Sequence, residues 1–435
     1  MVRYVDKFVK GIFMIVEFPY SEFEPLKISE VHKPQVFEMP NVQFRTTGAE
    51  LVKLALTEPI GSKRLSELAI WKKKVLIVVD DISRPTPVSQ FVHLIIEELQ
   101  HAGISKDKIE FLMALGTHRA MTQEEMTTKL GTEITSCYQV HNHQWDNPDC
   151  LSHIGDTNEG IPVWINKLVR ESDLVVGLGS IMPIEVCGFT GGGKILVPGV
   201  SGQVTVDQMH WTRIDVPAHH ITGKSENPIR ASIDSLARKA GLNFIVNVVL
   251  NSQNQIVGAV AGDMVTAHRK GCEIARKVFG VQIPHEFDIV IADGYPFDIE
   301  FWQVNKALDT AGIVVKKGGV VIIVSPCYEG FSQTHNEILE FGYTSIENIK
   351  KLVQCGKILH KVVGVHMIQV SSVAIEKAKV ILVSTGISKE NTEKAGLMWA
   401  QTPQNAFENA LLLVGKSPSI AVLKNASQML PLMRK

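Results

Sequence analysis

Apolar, β-branched runs recur along the chain and alternate with stretches in which apolar residues return every three to four positions. The runs include Lys74 to Val79 (KVLIVV), Ile109 to Leu115 (IEFLMAL), Leu174 to Gly179 (LVVGLG), Asp288 to Ala292 (DIVIA), Val320 to Val324 (VVIIV) and Lys379 to Val383 (KVILV). Their nearly continuous apolar character, without in-out alternation, is that of parallel strands covered by helices on both faces. The helical spacing predicts helices over Gln90 to Ala102, Met264 to Phe279, Gln303 to Val314 and Pro403 to Leu413. The expected fold class is α/β, with two domains of mainly parallel, Rossmann-like sheets flanked by helices. The proline and polar residues of Phe279 to Phe287 (FGVQIPHEF) place the domain boundary there. One domain is expected over residues 1–280 and the other over 281–435, with room for the last helix to pack back on the first.

In open α/β sheets ligands bind beyond the carboxyl ends of the strands, so the residues just after each run are the place to look for chemistry. Those segments are Asp80-Asp81-Ile82-Ser83-Arg84-Pro85, Gly116-Thr117-His118-Arg119 and Gly294-Tyr295-Pro296. The chain has 435 residues, more than one hydrophobic core usually covers, and its 45% apolar content is ordinary for a folded protein. The 44 Lys and Arg nearly cancel the 45 Asp and Glu, and no cationic stripe is interleaved with aromatics. That speaks for a small-molecule partner and against nucleic acid. The six cysteines form no Cys-x-x-Cys pair and read as reduced thiols. Met1 to Tyr20 lacks the continuous apolar stretch of a secretory signal and no run reaches bilayer-spanning length, so a cytoplasmic location without membrane contact is expected.

Each candidate motif carries a functional and a structural reading. Gly188 to Gly199 (GFTGGGKILVPG) places Gly191, Gly192 and Gly193 before Lys194, a composition that lets backbone approach a bulky anionic ligand. The alternative is a flexible glycine turn with a solvated lysine. The segment matches Gly-x-x-x-x-Gly-Lys, but Ile195 stands where a P-loop needs Ser or Thr for magnesium, which disfavours a nucleotide hydrolase. His118, in a loop after a strand, is placed to accept a substrate proton, or else is a capping histidine. His141 and His143 alternate as two ligands on one strand face do, yet no carboxylate cluster completes a metal site, and they read as structural. Arg84 and Asp81 flank a turn that can hold a carboxylate or phosphate, against a plain surface ion pair. Gln303 and Lys306 sit three apart on one helix face, a pairing that is often merely solvated.

Taken in order, these segments resemble the lactate racemase family. The resemblance runs from DDISRPTP through GTHR, HNHQWD, GFTGGGKILVPG with His210, AGDMVTAHRKG and GYPFDIEFWQVNKAL, and so covers nearly the whole chain. It implies a nickel-pincer nucleotide (nickel pyridinium bisthiocarboxylic acid mononucleotide) held by a cofactor-binding N-terminal domain, with cofactor and substrate in the interdomain cleft. By the resemblance Lys194 is the lysine that bears the cofactor and His210 the protein ligand to nickel; an imidazole suits a planar nickel site whose other donors come with the cofactor. The resemblance also makes His118 a catalytic histidine. It sets Asp81 and Arg84 near cofactor and substrate, Gln303 and Lys306 on the substrate side, and Gly191, Gly192, Gly193, Tyr295 and Trp302 among the cofactor-binding positions. It further implies a 2-hydroxy acid substrate and cofactor-maturation proteins as partners, with the chain a monomer or homo-oligomer.

One departure stands out. The family pattern has a second catalytic histidine where this chain has Ile184, and Glu185 is the nearest titratable replacement. Ile184 and the large ring of Trp302 also suggest a substrate with an apolar substituent. The expected function is a racemase or epimerase of a 2-hydroxy acid working by hydride transfer from C2. The rivals are a one-handed 2-hydroxy acid redox enzyme, and a noncatalytic protein that binds a nucleotide or the pincer cofactor.

Overall fold

The structure, a computed structural model, describes residues 2–4, 12–42, 46–157, 160–216, 220–415 and 417–434. The segment read against a secretory signal, Met1 to Tyr20, lies partly outside the described residues. Among the described residues no helix is long and apolar enough to cross a membrane. All six cysteines are free.

Two compact units make up the chain, Asn41–Val278 and a second formed by Met1–Pro40 with Phe279–Lys435. The division therefore differs from the two consecutive segments expected. The first forty residues belong with the C-terminal part because the strand Gln35–Phe37 pairs in parallel with Ile420–Leu423. The Phe13–Val16 and Leu26–Ser29 hairpin adds Met14, Val16, Leu26 and Ile28 to the core around Ile289 and Ile322. The late helix Pro403–Val414 also packs there, through Ala406, Phe407 and Ala410.

In the Asn41–Val278 unit a six-stranded sheet runs in the order Ile256–Gly262, Phe244–Leu250, Leu174–Ser180, Val75–Asp80, Ile109–Ala114, Gln139–Asn142. All pairings are parallel except the one at the Ile256–Gly262 edge. Every residue of Val75–Asp80, Leu174–Ser180 and Phe244–Leu250 is buried, as the unbroken apolar runs require of central strands. The helix Val92–His101 buries Val92, Ile95, Ile96 and Leu99 on this sheet, the spacing of one helical face. From Val75–Asp80 the chain steps outward through Ile109–Ala114 to Gln139–Asn142, then returns to Leu174–Ser180 on the other side. The direction of winding thus reverses between Val75–Asp80 and Leu174–Ser180, which opens a crevice at their carboxyl ends.

The second unit repeats the plan. Its six parallel strands lie in the order Met398–Trp399, Lys379–Val383, Val315–Val324, Phe287–Asp293, Ile420–Leu423, Gln35–Phe37. Here the winding reverses between Phe287–Asp293 and Ile420–Leu423.

Candidate active site

The two strands at the reversal of the Asn41–Val278 unit end in polar residues that bind each other. Asp80 accepts hydrogen bonds from the Thr86 hydroxyl (2.5 Å) and the Ser180 amide (3.3 Å), and the Thr86 and Ser180 hydroxyl oxygens lie 2.9 Å apart. The ammonium of Lys129, itself buried, lies 2.7 Å from Asp80 and donates to the carbonyls of Asp81 (3.1 Å) and Arg84 (2.8 Å). Lys129 reaches inward from the helix Gln123–Leu130, whose start is fixed by a capping box between Thr122 and Glu125. Arg119 grips Glu125 at 2.6 Å and helps hold that carboxyl down at about 2. Arg119, noted only as the neighbour of His118, therefore braces the helix that fixes the Asp81 turn.

That turn aims Asp81 at His118. Nδ1 of His118 lies 2.6 Å from Oδ2 of Asp81, and the Ser83 hydroxyl donates to Oδ1 at 2.5 Å. Burial would lift the Asp81 carboxyl, but His118, Arg84 and Ser83 outweigh it and hold it well below the usual carboxylate range. An ionised carboxylate accepts only, so Nδ1 carries a proton and, in the neutral ring, Nε2 carries the lone pair. The His118 side chain is 37% exposed, so that lone pair belongs to a ring solvent can reach. The Trp145 indole donates to the His118 carbonyl (3.2 Å), and the Gly116 amide donates to the Gly199 carbonyl (2.8 Å). The His118 turn is thereby joined to the segment that carries Lys194.

Lys194 is half-buried in a short 3-10 turn, Gly192–Ile195, and is not the solvated lysine of the bland reading. Burial lowers its amine below the ordinary lysine value; Cys187 and Glu185 oppose that, while Arg84 and Arg230 add to it. The glycines before it answer to packing. A Cβ at Gly191 would meet Asn247 and Ile181 at 2.8 Å, one at Gly192 would meet His268 at 2.9 Å, and one at Gly193 would meet Ala237 at 2.9 Å. The amide of Gly192 is already given to Asn247 (2.8 Å). The triplet lets the turn press against its own unit.

His210 stands in the last turn of the helix Gln203–Trp211 and donates through Nδ1 to the Val206 carbonyl at 2.8 Å, which leaves Nε2 as the lone-pair nitrogen. Burial pushes this imidazole down to about 4; the Val206 carbonyl opposes that, and the charges of Lys194 and Arg213 add to it. Glu185 acts electrostatically on Lys194 and His210 alike. Lys194 thus feels the charges of Arg84 and Glu185, His210 those of Lys194 and Glu185, and Asp81 that of Arg84. Ile184 is buried in the small hairpin of Pro183–Ile184 with Gly188–Phe189.

His141 and His143 do not converge. His141 pairs with Glu110 (3.0 Å), whereas buried His143 bonds the Ser201 carbonyl (3.0 Å) and the Asn166 amide (3.1 Å). Among the described residues no three His, Cys, Asp or Glu side chains are arranged to hold a metal ion.

The remaining residues singled out lie in the other unit and form their own group. Gln303 and Lys306 are joined by a hydrogen bond on the helix Phe301–Val314, with the Lys306 ammonium 4.5 Å from the Phe297 ring centroid. Trp302 lies between His366 (centroids 4.1 Å apart, stacked) and His335 (4.3 Å). Burial pushes His366 down to about 3, and its Nε2 lies 3.2 Å from the Tyr343 hydroxyl. Tyr295 packs against the core of the same unit.

Sequence reasoning missed Lys129, Arg230 and Asn247, and named Asp80, His268 and Arg269 only as members of longer motifs, without a role. A signal existed for Arg230. It lies with Asp234, four residues on, in the buried stripe of Ile229, Ile233, Leu236 and Ala237, where charged residues are out of place unless paired.

By fold and site the protein is a doubly wound α/β molecule of the class that takes a small ligand at the carboxyl ends of its strands. The family model described as the lactate racemase N-terminal domain matches residues 21–222, and that described as the lactate racemase C-terminal domain matches residues 282–430. The chain belongs to the lactate racemase family. It is 36% identical over 283 residues to a lactate racemase of Thermoanaerobacterium thermosaccharolyticum and 32% identical over 284 residues to one of Lactiplantibacillus plantarum. Each match covers 65% of this chain and 66% of the relative, so it spans just under two thirds of the curated proteins. The solved structure of the lactate racemase apoprotein from Thermoanaerobacterium thermosaccharolyticum superposes with a TM-score of 0.85 at 29% identity, covering 97% of this chain and 100% of that one. A protein from Thermotoga maritima shares the fold, with a TM-score of 0.72 at 24% identity over 89% of this chain and 98% of its own.

Proposed function

We propose that the protein is an isomerase, a racemase or epimerase of a lactate-like 2-hydroxy acid, working with a nickel-pincer nucleotide. The observation that supports the reading best is the Asp81-oriented His118, in the same unit as a buried His210 that feels the charge of Lys194. Lys194 is the tether: its depressed pKa favours the neutral amine that acylation requires. His210 is the protein's nickel ligand, since the bond to Val206 turns its Nε2 lone pair outward from the helix backbone. A single imidazole donor fits a group that brings its other donors with it. When bound, the cofactor would supply a hydride acceptor and donor for C2 of the substrate.

The chain's own part is proton transfer and position. His118 Nε2 accepts the substrate hydroxyl proton, and the Asp81 carboxylate stabilises the imidazolium so formed while fixing the ring. Arg84, tied to Ser83 at 3.1 Å, supplies a cation for the substrate carboxylate. Gln303 and Lys306 take the substrate-side role that the resemblance gives them. Ile184 offers no proton acceptor, and Glu185 is the carboxylate assigned to the second hydroxyl orientation.

Anaerobic maturation followed by intact-mass and metal analysis tests the reading, with an adduct on Lys194, bound nickel and racemisation expected. A matured protein with neither adduct nor nickel would overturn it. One-handed oxidation is favoured by the single Asp-oriented histidine. Substrate deuterated at C2 separates the two, because racemisation returns both enantiomers with label whereas oxidation accumulates keto acid.

A further inference from the structure

The segment AGDMVTAHRKG, Ala261 to Gly271, has no part in the chemistry above, yet one of its side chains, His268, ends at the turn that delivers Lys194, and the next, Arg269, meets His268. One backbone group in each of four consecutive residues, Phe189 to Gly192, is held by a side chain, and the side chains come from three elements. Arg230, fully buried on the helix Pro228–Ala240, donates to the carbonyls of Phe189 and Gly191 (3.2 Å to the latter). Asn247, on the strand Phe244–Leu250, accepts from the Gly192 amide (2.8 Å). His268, on the helix Thr266–Phe279 and fully buried, lies with Nε2 2.9 Å from the Thr190 carbonyl.

The protonation state of His268 follows from its neighbours. A carbonyl can only accept, so Nε2 bears the hydrogen; the Arg269 guanidinium, 3.0 Å from Nδ1, can only donate, so Nδ1 is the acceptor. The ring is neutral with its tautomer set. Burial and the charges of Arg230 and Arg269 hold its pKa well below the ordinary histidine value. Arg269 is anchored by Asp234 (2.6 Å) and Glu226 (2.6 Å), so it cannot turn away. The ring also occupies the space a Cβ at Gly192 would need.

We infer that His268 and Arg269 are positioning residues: Arg269 fixes the tautomer of His268, and His268 fixes the Thr190 carbonyl and with it the turn from which Lys194 projects. The inference rests on Lys194 being the functional amine. It assigns to this pair a directional hydrogen bond, where mere core filling would need only volume.

Hydrogen exchange of residues 188–200, read by mass spectrometry on the full chain, tests it together with Lys194 adduct occupancy and kcat after maturation. In His268→Leu, exchange across the turn rises about tenfold, the equivalent of one lost buried hydrogen bond, and occupancy or kcat falls with KM little changed. His268→Gln restores wild-type exchange, because its amide can donate to Thr190 and its oxygen accept from Arg269. Arg269→Met, which leaves the ring in place, raises exchange as His268→Leu does. A His268→Leu protein that exchanges as wild type, or a His268→Gln protein as loose as His268→Leu, overturns the inference; should His268→Leu not fold, an unchanged Arg269→Met overturns it. A wild type that carries no adduct while these exchange differences persist counts against the Lys194 reading and leaves the positioning role standing.

Discussion

The two sheets share a plan and place an aspartate at the same point, the last residue of a central strand beside the reversal in winding: Asp80 in one unit, Asp293 in the other. Burial raises both carboxyls. At Asp80 it is opposed by the Lys129 ammonium 2.7 Å away and by hydrogen bonds from Lys129 and Thr86. At Asp293 it is opposed chiefly by the Asn425 amide (3.1 Å) and the more distant charge of Lys424, and the carboxyl is raised to about 7. Lys424 instead donates to the Glu17 carbonyl. The contrast teaches that a buried acid becomes scaffolding only when its counter-ion has further work. Lys129 also clamps the carbonyls of Asp81 and Arg84, and so converts the pairing of Asp80 into the aim of Asp81 at His118.

The sharpest way to break this comparison is at the aimed carboxylate. Asp81→Asn keeps the shape but loses the tautomer of His118, and kcat of the matured enzyme is expected to fall by up to about ten-thousand-fold with the fold intact by circular dichroism. A loss under tenfold would mean that Asp81 does not orient the base. Next is Lys129→Met, which strands Asp80 in the interior; chemical denaturation should show a loss of about 3 kcal/mol or more. Unchanged stability there would remove the distinction between the two acids.

Asp293 gives a smaller, pH-dependent effect whose sign follows from linkage. Its folded pKa, about 7, lies above its unfolded value, so between pH 4 and 7 the folded state holds a proton that the unfolded state has released. Its contribution to stability is intact below the unfolded pKa and is lost as pH rises toward 7, at up to about 1.4 kcal/mol per pH unit. Denaturation midpoints of Asp293→Asn and wild type across that range should therefore diverge, with the variant losing less. Parallel curves would show that the acid titrates normally. The smallest effect is expected at His141→Ala, which removes a partly exposed ion pair with Glu110: stability within about 0.5 kcal/mol and unchanged racemisation kinetics.

Much of the fold was legible. The run Lys379 to Val383 is the observed strand, Leu174 to Gly179 is extended by one residue, and the helix read over Pro403 to Leu413 ends at Val414. These elements are buried on a period that a window of a few residues reveals. The strand Gln35–Phe37 was illegible, because one exposed and two partly buried residues on a sheet edge leave no such trace. At the site, the order of motifs singled out Lys194, His210, Asp81, Arg84 and His118. Lys129 reads locally as one more lysine on a surface helix.

The sequence by itself determined the α/β class, the placement of the main strands and helices, and the membership in one family through several motifs in series. Tertiary structure decided where the first forty residues belong, which charges are buried, and why the Gly191 to Gly193 run is glycine, since Asn247, His268 and Ala237 fill the space beyond it. The physical reason is range: periodicity is a property of neighbours along the chain, whereas the pairing of Lys129 with Asp80 or of His268 with Thr190 spans dozens of residues and exists only once the sheet has set its strand order.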